Sequence, residues 1–133
     1  MTDELKDLGR RAIACRGWKW LDGMLDGNIH EQRYSADNQG FLELNDFDWS
    51  HKGAYPNSLP DFSDPATVGC LLALVREAMK DPSIYARLFL REGRWCTCSD
   101  AYMGTSLLVN GKYLWGDTEA EALVVALEAA NAL

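Results

Sequence analysis

A chain of 133 residues with 47% hydrophobic and 25% charged side chains fits one domain, long enough to bury roughly two-thirds of its unfolded surface. Its longest apolar run, Cys70 to Val75, falls far short of the about 20 residues a membrane-spanning helix needs, which argues against a membrane protein. The net charge of −7 gathers in residues 31–65, where seven acids face only Arg33 and Lys52, and such a centre disfavours direct contact with nucleic-acid phosphates.

The start, MTDELKDLGRR, is polar and has no apolar run of the secretory kind. With four cysteines and no visible export signal, reduced thiols in the cytoplasm of a cell are expected. Asp3 to Arg16 reads as a helix with Leu5, Leu8, Ala12, Ile13 and Cys15 inside, stopped by Gly17. In WKWLDGML, Trp18, Trp20 and Met24 fall on alternate positions, which predicts a strand before the turn at Asp26-Gly27-Asn28. Ile29 to Ser35 is a weaker strand and Gly40 to Trp49 a better one. Residues 50–62 lose all periodicity, and Gly53, Pro56 and Pro60 mark a long loop anchored by Tyr55, Leu59 and Phe62.

The strongest helix signal is SDPATVGCLLALVREAM, Ser63 to Met79. Asp64 suits the N-cap, Pro65 the first helical position, and Val68, Leu71, Leu72, Val75 and Met79 recur at three- and four-residue spacing. This apolar helix is expected at the centre of the fold, ended by Asp81-Pro82. Ile84 to Arg91 and Arg94 to Ser99 read as strands joined at Glu92-Gly93. Leu107 to Val109 and Lys112 to Trp115 flank Asn110-Gly111, a hairpin signal. Thr118 to Leu133 is a helix opened by Thr118 with Glu121 three residues on. The order predicts a single α+β domain over 1–133, an antiparallel sheet of about five to seven strands packed against three helices.

Catalytic and cofactor signals are weak. Cys96 and Cys98 share one strand face about 6.6 Å apart, an awkward distance for a disulfide. A zinc site would need two more ligands from His30, His51, Cys15 and Cys70, and no second cysteine pair supplies them, so no metal is expected. Neither histidine has a partner in sequence that would make it a general base. There is no GxGxxG and no GxxxxGK[ST], so no nucleotide fingerprint and no cofactor is expected, and the reading is a protein that is not an enzyme.

Five tryptophans and five tyrosines exceed what a small core needs, so some are expected at a pocket or interface. Trp49, opening the acidic loop, is the best candidate.

Three segments, LGRRAIACRGWKWLDGM, LPDFSDPATVGCLLALVREAMKDPS and GDTEAEALVVALEAA, together resemble small uncharacterised proteins encoded by bacteriophages and prophages. The resemblance covers about two-fifths of the chain and carries no catalytic motif. It implies a bacterial cytoplasmic setting and an accessory protein, of which inhibitors of host defence are one kind.

Three functions follow as expectations. The first is binding of a host protein with a basic surface through Asp46, Asp48, Trp49, Tyr55 and Asp61. The second is binding of a small nucleotide-like molecule by Arg10, Arg11, Arg16 and Lys19 with Trp18 and Trp20, since arginine suits phosphate and bases stack on aromatics. The third is a minor virion or assembly component. The sequence does not fix the oligomeric state, and a homodimer is compatible with it.

Overall fold

The computed structural model describes residues 1–27, 32–35, 40–41, 58–102 and 105–133. Their elements are α1 (Asp3–Ile13), β1 (Tyr34–Ser35), β2 (Gly40–Phe41), α2 (Pro65–Met79), β3 (Ile84–Phe89), β4 (Arg94–Ser99), β5 (Thr105–Ser106), β6 (Leu108–Val109), β7 (Lys112–Tyr113), β8 (Trp115–Gly116) and α3 (Glu119–Ala130). Three helices and an antiparallel sheet make the fold α+β.

The helices begin where their caps dictate. The Asp64 carboxylate accepts from the Thr67 amide at 3.1 Å and the Thr67 hydroxyl at 2.7 Å, with Pro65 in the first turn. Lys80 closes α2 in the left-handed region, and Asp81 then ties the entry to β3 by accepting from the Ser83 amide and from the Ser99 hydroxyl. Thr118 Oγ1 accepts from the Glu121 amide at 3.1 Å, while the Glu121 carboxylate reaches back to the Asp117 amide, one residue earlier than in a standard capping box.

α3 is the helix that touches most of the molecule. It packs on α1, α2 and the sheet, and Ala120, Ala122, Leu123, Val124, Ala126 and Leu127 are all buried. The expectation put α2 at the centre, but Ala66, Gly69, Ala73 and Glu77 form an exposed line along it. Burial on α2 falls to Thr67, Leu71, Leu74 and Val75, which meet α3 and the core.

β3 and β4 pair over their whole length, from Ile84 opposite Ser99 to Phe89 opposite Arg94. The far edge of β4 is lined by one strand path cut in two. β5 pairs Ser106 with Cys98, β8 pairs Trp115 with Cys96, and Thr97 bonds both sides of the break, donating to the Leu114 carbonyl and accepting from the Leu107 amide. From that break the β6–β7 hairpin projects, its turn made by Asn110 and Gly111, both with positive φ, 51° and 77°.

Side-chain alternation gives the sheet two faces. On the helix side stand Ile84, Ala86 and Leu88 with Ser99, Thr97 and Trp95, and Thr97 Oγ1 donates to the Ala122 carbonyl at 3.0 Å. Gly116 also faces α3 at very short range, since a Cβ there would sit 2.3 Å from the Ala122 nitrogen. Its neighbour Trp115 therefore faces the other way, with Tyr85, Arg87, Phe89, Arg94, Cys96, Cys98 and Ser106.

The strand expected over Trp18 to Met24 does not form. Trp18 N donates to the Cys15 carbonyl and Met24 N to Leu21, so the segment turns twice, leaving only single bridges at Leu25–Arg33 and Asp26–Pro60. α1 ends at Ile13, before the expected Gly17, as Cys15 N bonds back to Ala12 in a tighter turn. Of the expected strands over 29–35 and 40–49, Tyr34–Ser35 form β1 and Gly40–Phe41 form β2, Arg33 makes only a single bridge, and residues 29–31 and 42–49 lie outside the described residues. Leu59 and Phe62 are buried anchors as expected. No described helix is long and apolar enough to cross a membrane.

Candidate functional site

Aromatic and arginine side chains converge on the sheet face that no described helix covers. The alternation along β3 sends Arg87 and Phe89 there, and the pairing of β8 with β4 sets Trp115 beside them. Phe89 and Trp115 meet edge to face, with ring centroids 5.3 Å apart. The Arg87 guanidinium lies over Phe89, 5.2 Å from its centroid, and that of Arg94 over Trp115 at 5.9 Å. Arg87, Phe89 and Trp115, with Thr105, Ser106 and Tyr113, line an open cleft of about 570 Å³, and Arg94 stands beside it over Trp115.

Cys96 and Cys98 stand on the same sheet face, both fully buried and free. Burial pushes the Cys98 thiol above its ordinary value, so this cysteine is protonated and a poor nucleophile.

The two arginines differ in their partners. Arg94 Nε is 3.3 Å from an Asp117 carboxylate oxygen, so its charge is answered locally. Among the described residues no carboxylate forms an ion pair with Arg87, which is exposed at the rim. The cleft thus offers aromatic edges and faces, hydroxyls and one cation. Among the described residues its lining holds no histidine, cysteine or carboxylate. Chemically this is a place to hold a planar group next to an anion.

The residues named from sequence are arranged differently. Asp46, Asp48, Trp49 and Tyr55 lie outside the described residues. Asp61 makes a turn ahead of α2, accepting from the Ser63 amide at 3.0 Å and the Ser63 hydroxyl at 2.6 Å.

Trp18 and Trp20 do come together, edge to face at 5.5 Å, with Phe62 and Tyr34 completing a cluster that closes the core. The four cations near them each turn elsewhere. Arg10 pairs with Asp7 at 2.7 Å, Arg11 with Glu128 at 2.6 Å, Lys19 with Glu77 at 3.1 Å, and Arg16 donates to the Asn131 carbonyl. Arg11, Arg16 and Lys19 staple α1 and the following turn to α3 and α2, the Arg10 pair stays within α1, and the four gather into no common anion site.

A second cleft, about 610 Å³, opens between the first turns of α1 and α3 and includes Glu4, Asp7, Arg11, Asp117 and Glu121. Its polar groups serve the fold. Arg11 is held by Glu128, which raises its pKa, and Glu121 is spent on the Asp117 amide. Among the described residues no group of three or more His, Cys, Asp or Glu is placed to hold a metal ion.

Arg87, Phe89, Arg94 and Tyr113 were not candidates from the sequence, and Trp115 was only one of five tryptophans. A signal for them existed. With β3 and β4 recognised, every second residue reads Tyr85, Arg87, Phe89 on one and Arg94, Cys96, Cys98 on the other.

Comparison with protein-family models, with curated proteins and with solved structures finds no match to this chain.

Proposed function

We propose that this chain is a non-catalytic binding protein for a small anion that carries a planar ring, a nucleotide being the model case. The observation behind this is the cleft where Arg87, without an acidic partner among the described residues, stands over Phe89 beside Trp115. A base or similar ring would stack in the aromatic cleft, and its phosphate or carboxylate would meet the Arg87 fork. Thr105, Ser106 and Tyr113 supply hydroxyls for orientation. The net charge of −7 does not oppose this as it opposes a long polyanion, because a small ligand senses mainly charges within about one Debye length, roughly 8–10 Å.

The test is a titration of tryptophan fluorescence with nucleoside mono- and diphosphates, on the native chain and on Trp115→Phe and Arg87→Gln. Saturable quenching that is abolished in Trp115→Phe and weakened about tenfold or more in Arg87→Gln is expected. Saturable quenching of equal affinity in Arg87→Gln, or none up to millimolar ligand, overturns the assignment. A phage accessory protein that holds a basic host protein is a second proposal. It is favoured by the seven acids of residues 31–65, and its binding would weaken steeply with salt.

A further inference from the structure

The outer edge of β3 meets no strand among the described residues, and its composition is unusual for an edge left open. Monomeric proteins commonly guard such edges with a proline, a bulge or an inward charge. β3 reads IYARLF, pairs with β4 in unbroken register, and has one charge, Arg87, on the face away from the helices. At its end Leu88 is 40% exposed and Leu90 86% exposed.

The direction of the edge backbone groups can be worked out. Thr97 points both its N–H and C=O away from β3, toward Leu114 and Leu107. Its partner Ala86 therefore belongs to a non-hydrogen-bonded pair, in which both residues turn their backbone groups outward. By the period of two, Ile84, Ala86 and Leu88 present their N–H and C=O groups to the open edge. The Ile84 carbonyl agrees, since it accepts from Arg76 Nε at 2.8 Å.

We infer that this edge pairs with the same edge of a second copy, antiparallel about a two-fold axis at Ala86. Side-chain chemistry selects that register. Residues directly opposite must share a face, so the axis falls on one residue of the strand. With the axis at Ala86, Arg87 lies opposite the partner's Tyr85, Leu88 opposite the partner's Ile84, and exposed Leu90 opposite the partner's Pro82.

Moving the axis to Arg87 sets two like charges face to face, which is destabilising. Moving it to Tyr85 or Leu88 shortens the pairing. The Ala86 register covers apolar side chains and leaves cation beside aromatic ring. It also satisfies the Ala86 backbone groups with those of the partner's Ala86. Both clefts then lie on one continuous sheet face. The inference does not depend on what the cleft holds.

Sedimentation velocity of the full chain over about 5–500 µM tests it, a range that brackets an edge-strand dimer of modest size. A concentration-dependent shift from monomer to dimer is expected. Leu88→Pro removes only an outward N–H and is expected to weaken dimerisation about tenfold or more, with the circular dichroism unchanged. Should Leu88→Pro not fold, Leu88→Lys places a charge against the partner's Ile84 and gives the same reading.

Register is tested by oxidising Ala86→Cys and Arg87→Cys separately. Under the inference Ala86→Cys cross-links between chains, at the about 5.5 Å Cα separation of a hydrogen-bonded pair, much faster than Arg87→Cys. A chain monomeric across the whole range overturns the inference. So does a dimer indifferent to both Leu88 variants, or a preference for cross-linking at Arg87→Cys.

Discussion

The two faces of one sheet are built for different ends. On the helix side the side chains next to α3 have their places taken: Thr97 donates into α3, Ile84 and Ala86 pack on the core, and Gly116 gives up a side chain so that the strand can lie against Ala122. On the other side Arg87, Phe89, Arg94 and Trp115 stack on each other beside an open cleft, next to the small, buried Cys96 and Cys98. The helix side is fixed by volume, where a methyl group matters. The cleft side is fixed by a few ring and charge contacts, which a ligand can join. Substitutions on the first should change stability, and those on the second should change binding.

The largest stability effect is expected at Gly116→Ala. Its φ is not in the left-handed region, so the cost arises from the added methyl, which would meet the α3 backbone at 2.3 Å and force strand and helix apart. Overpacking against backbone cannot be relieved by a rotamer, and a loss of about 3 kcal/mol is expected, or roughly 10 °C in Tm for a chain of this size. Thermal unfolding by circular dichroism measures it. A Tm within a few degrees of the native protein would mean that α3 does not sit so tightly on β8.

Gly116 also shows what the sequence could and could not disclose. The caps of α2 and α3 are local chemistry, and Asp64-Pro65 and Thr118 stand where the sequence places them. So do β3, β4 and the Asn110-Gly111 turn. What failed was whatever depended on partners distant in the chain. The residues expected to form two plain hairpin strands, 107–109 and 112–115, instead divide, since Leu107 and Trp115 leave the hairpin to pair with β4. No local pattern marks that division.

The alternating tryptophans 18 and 20 looked like a strand because their spacing was two, but no strand among the described residues pairs with them, and their rings pack against Phe62 and Tyr34 instead. Arg10, Arg11 and Lys19 looked like an anion site only until Asp7, Glu128 and Glu77 came within reach. Cleft residues were half legible, because strand alternation groups Arg87 with Phe89, whereas their meeting with Trp115 is a product of topology.

An intermediate effect is expected at the start of α2, where Arg33 grips Asp64 with both nitrogens at 2.8 and 2.9 Å. That guanidinium, helped by the Thr67 hydroxyl and amide, holds the Asp64 carboxyl well below the ordinary carboxylate range. A group whose folded pKa is lowered stabilises the protein above its unfolded pKa, about 3.9, and loses that contribution as pH falls toward the folded value. Asp64→Asn keeps a competent N-cap but loses the ion pair, and because Arg33 is half exposed the cost at neutral pH is expected to be about 1 kcal/mol. Urea unfolding followed from neutral pH to below about 3 should show native and variant converging as the acid limb is entered. A gap that stays constant with pH would assign the loss to packing rather than to charge.

The smallest stability effect, and the sharpest division between the two faces, is expected at the arginines of the cleft. Arg87→Gln removes an exposed cation with no carboxylate partner among the described residues, so its Tm should stay within about 2 °C of the native value. Arg94→Gln breaks the contact with Asp117 and the stack on Trp115, both partly exposed, and should cost no more than about 1 kcal/mol. In binding the order should reverse. Arg94 already spends its charge on Asp117, whereas Arg87 has no carboxylate partner among the described residues. Nucleotide affinity should therefore fall further in Arg87→Gln than in Arg94→Gln, although Arg87→Gln is the more stable of the two variants. If instead affinity follows stability across the pair, the arginines act by supporting the aromatic rings, and the anion is held by groups other than Arg87.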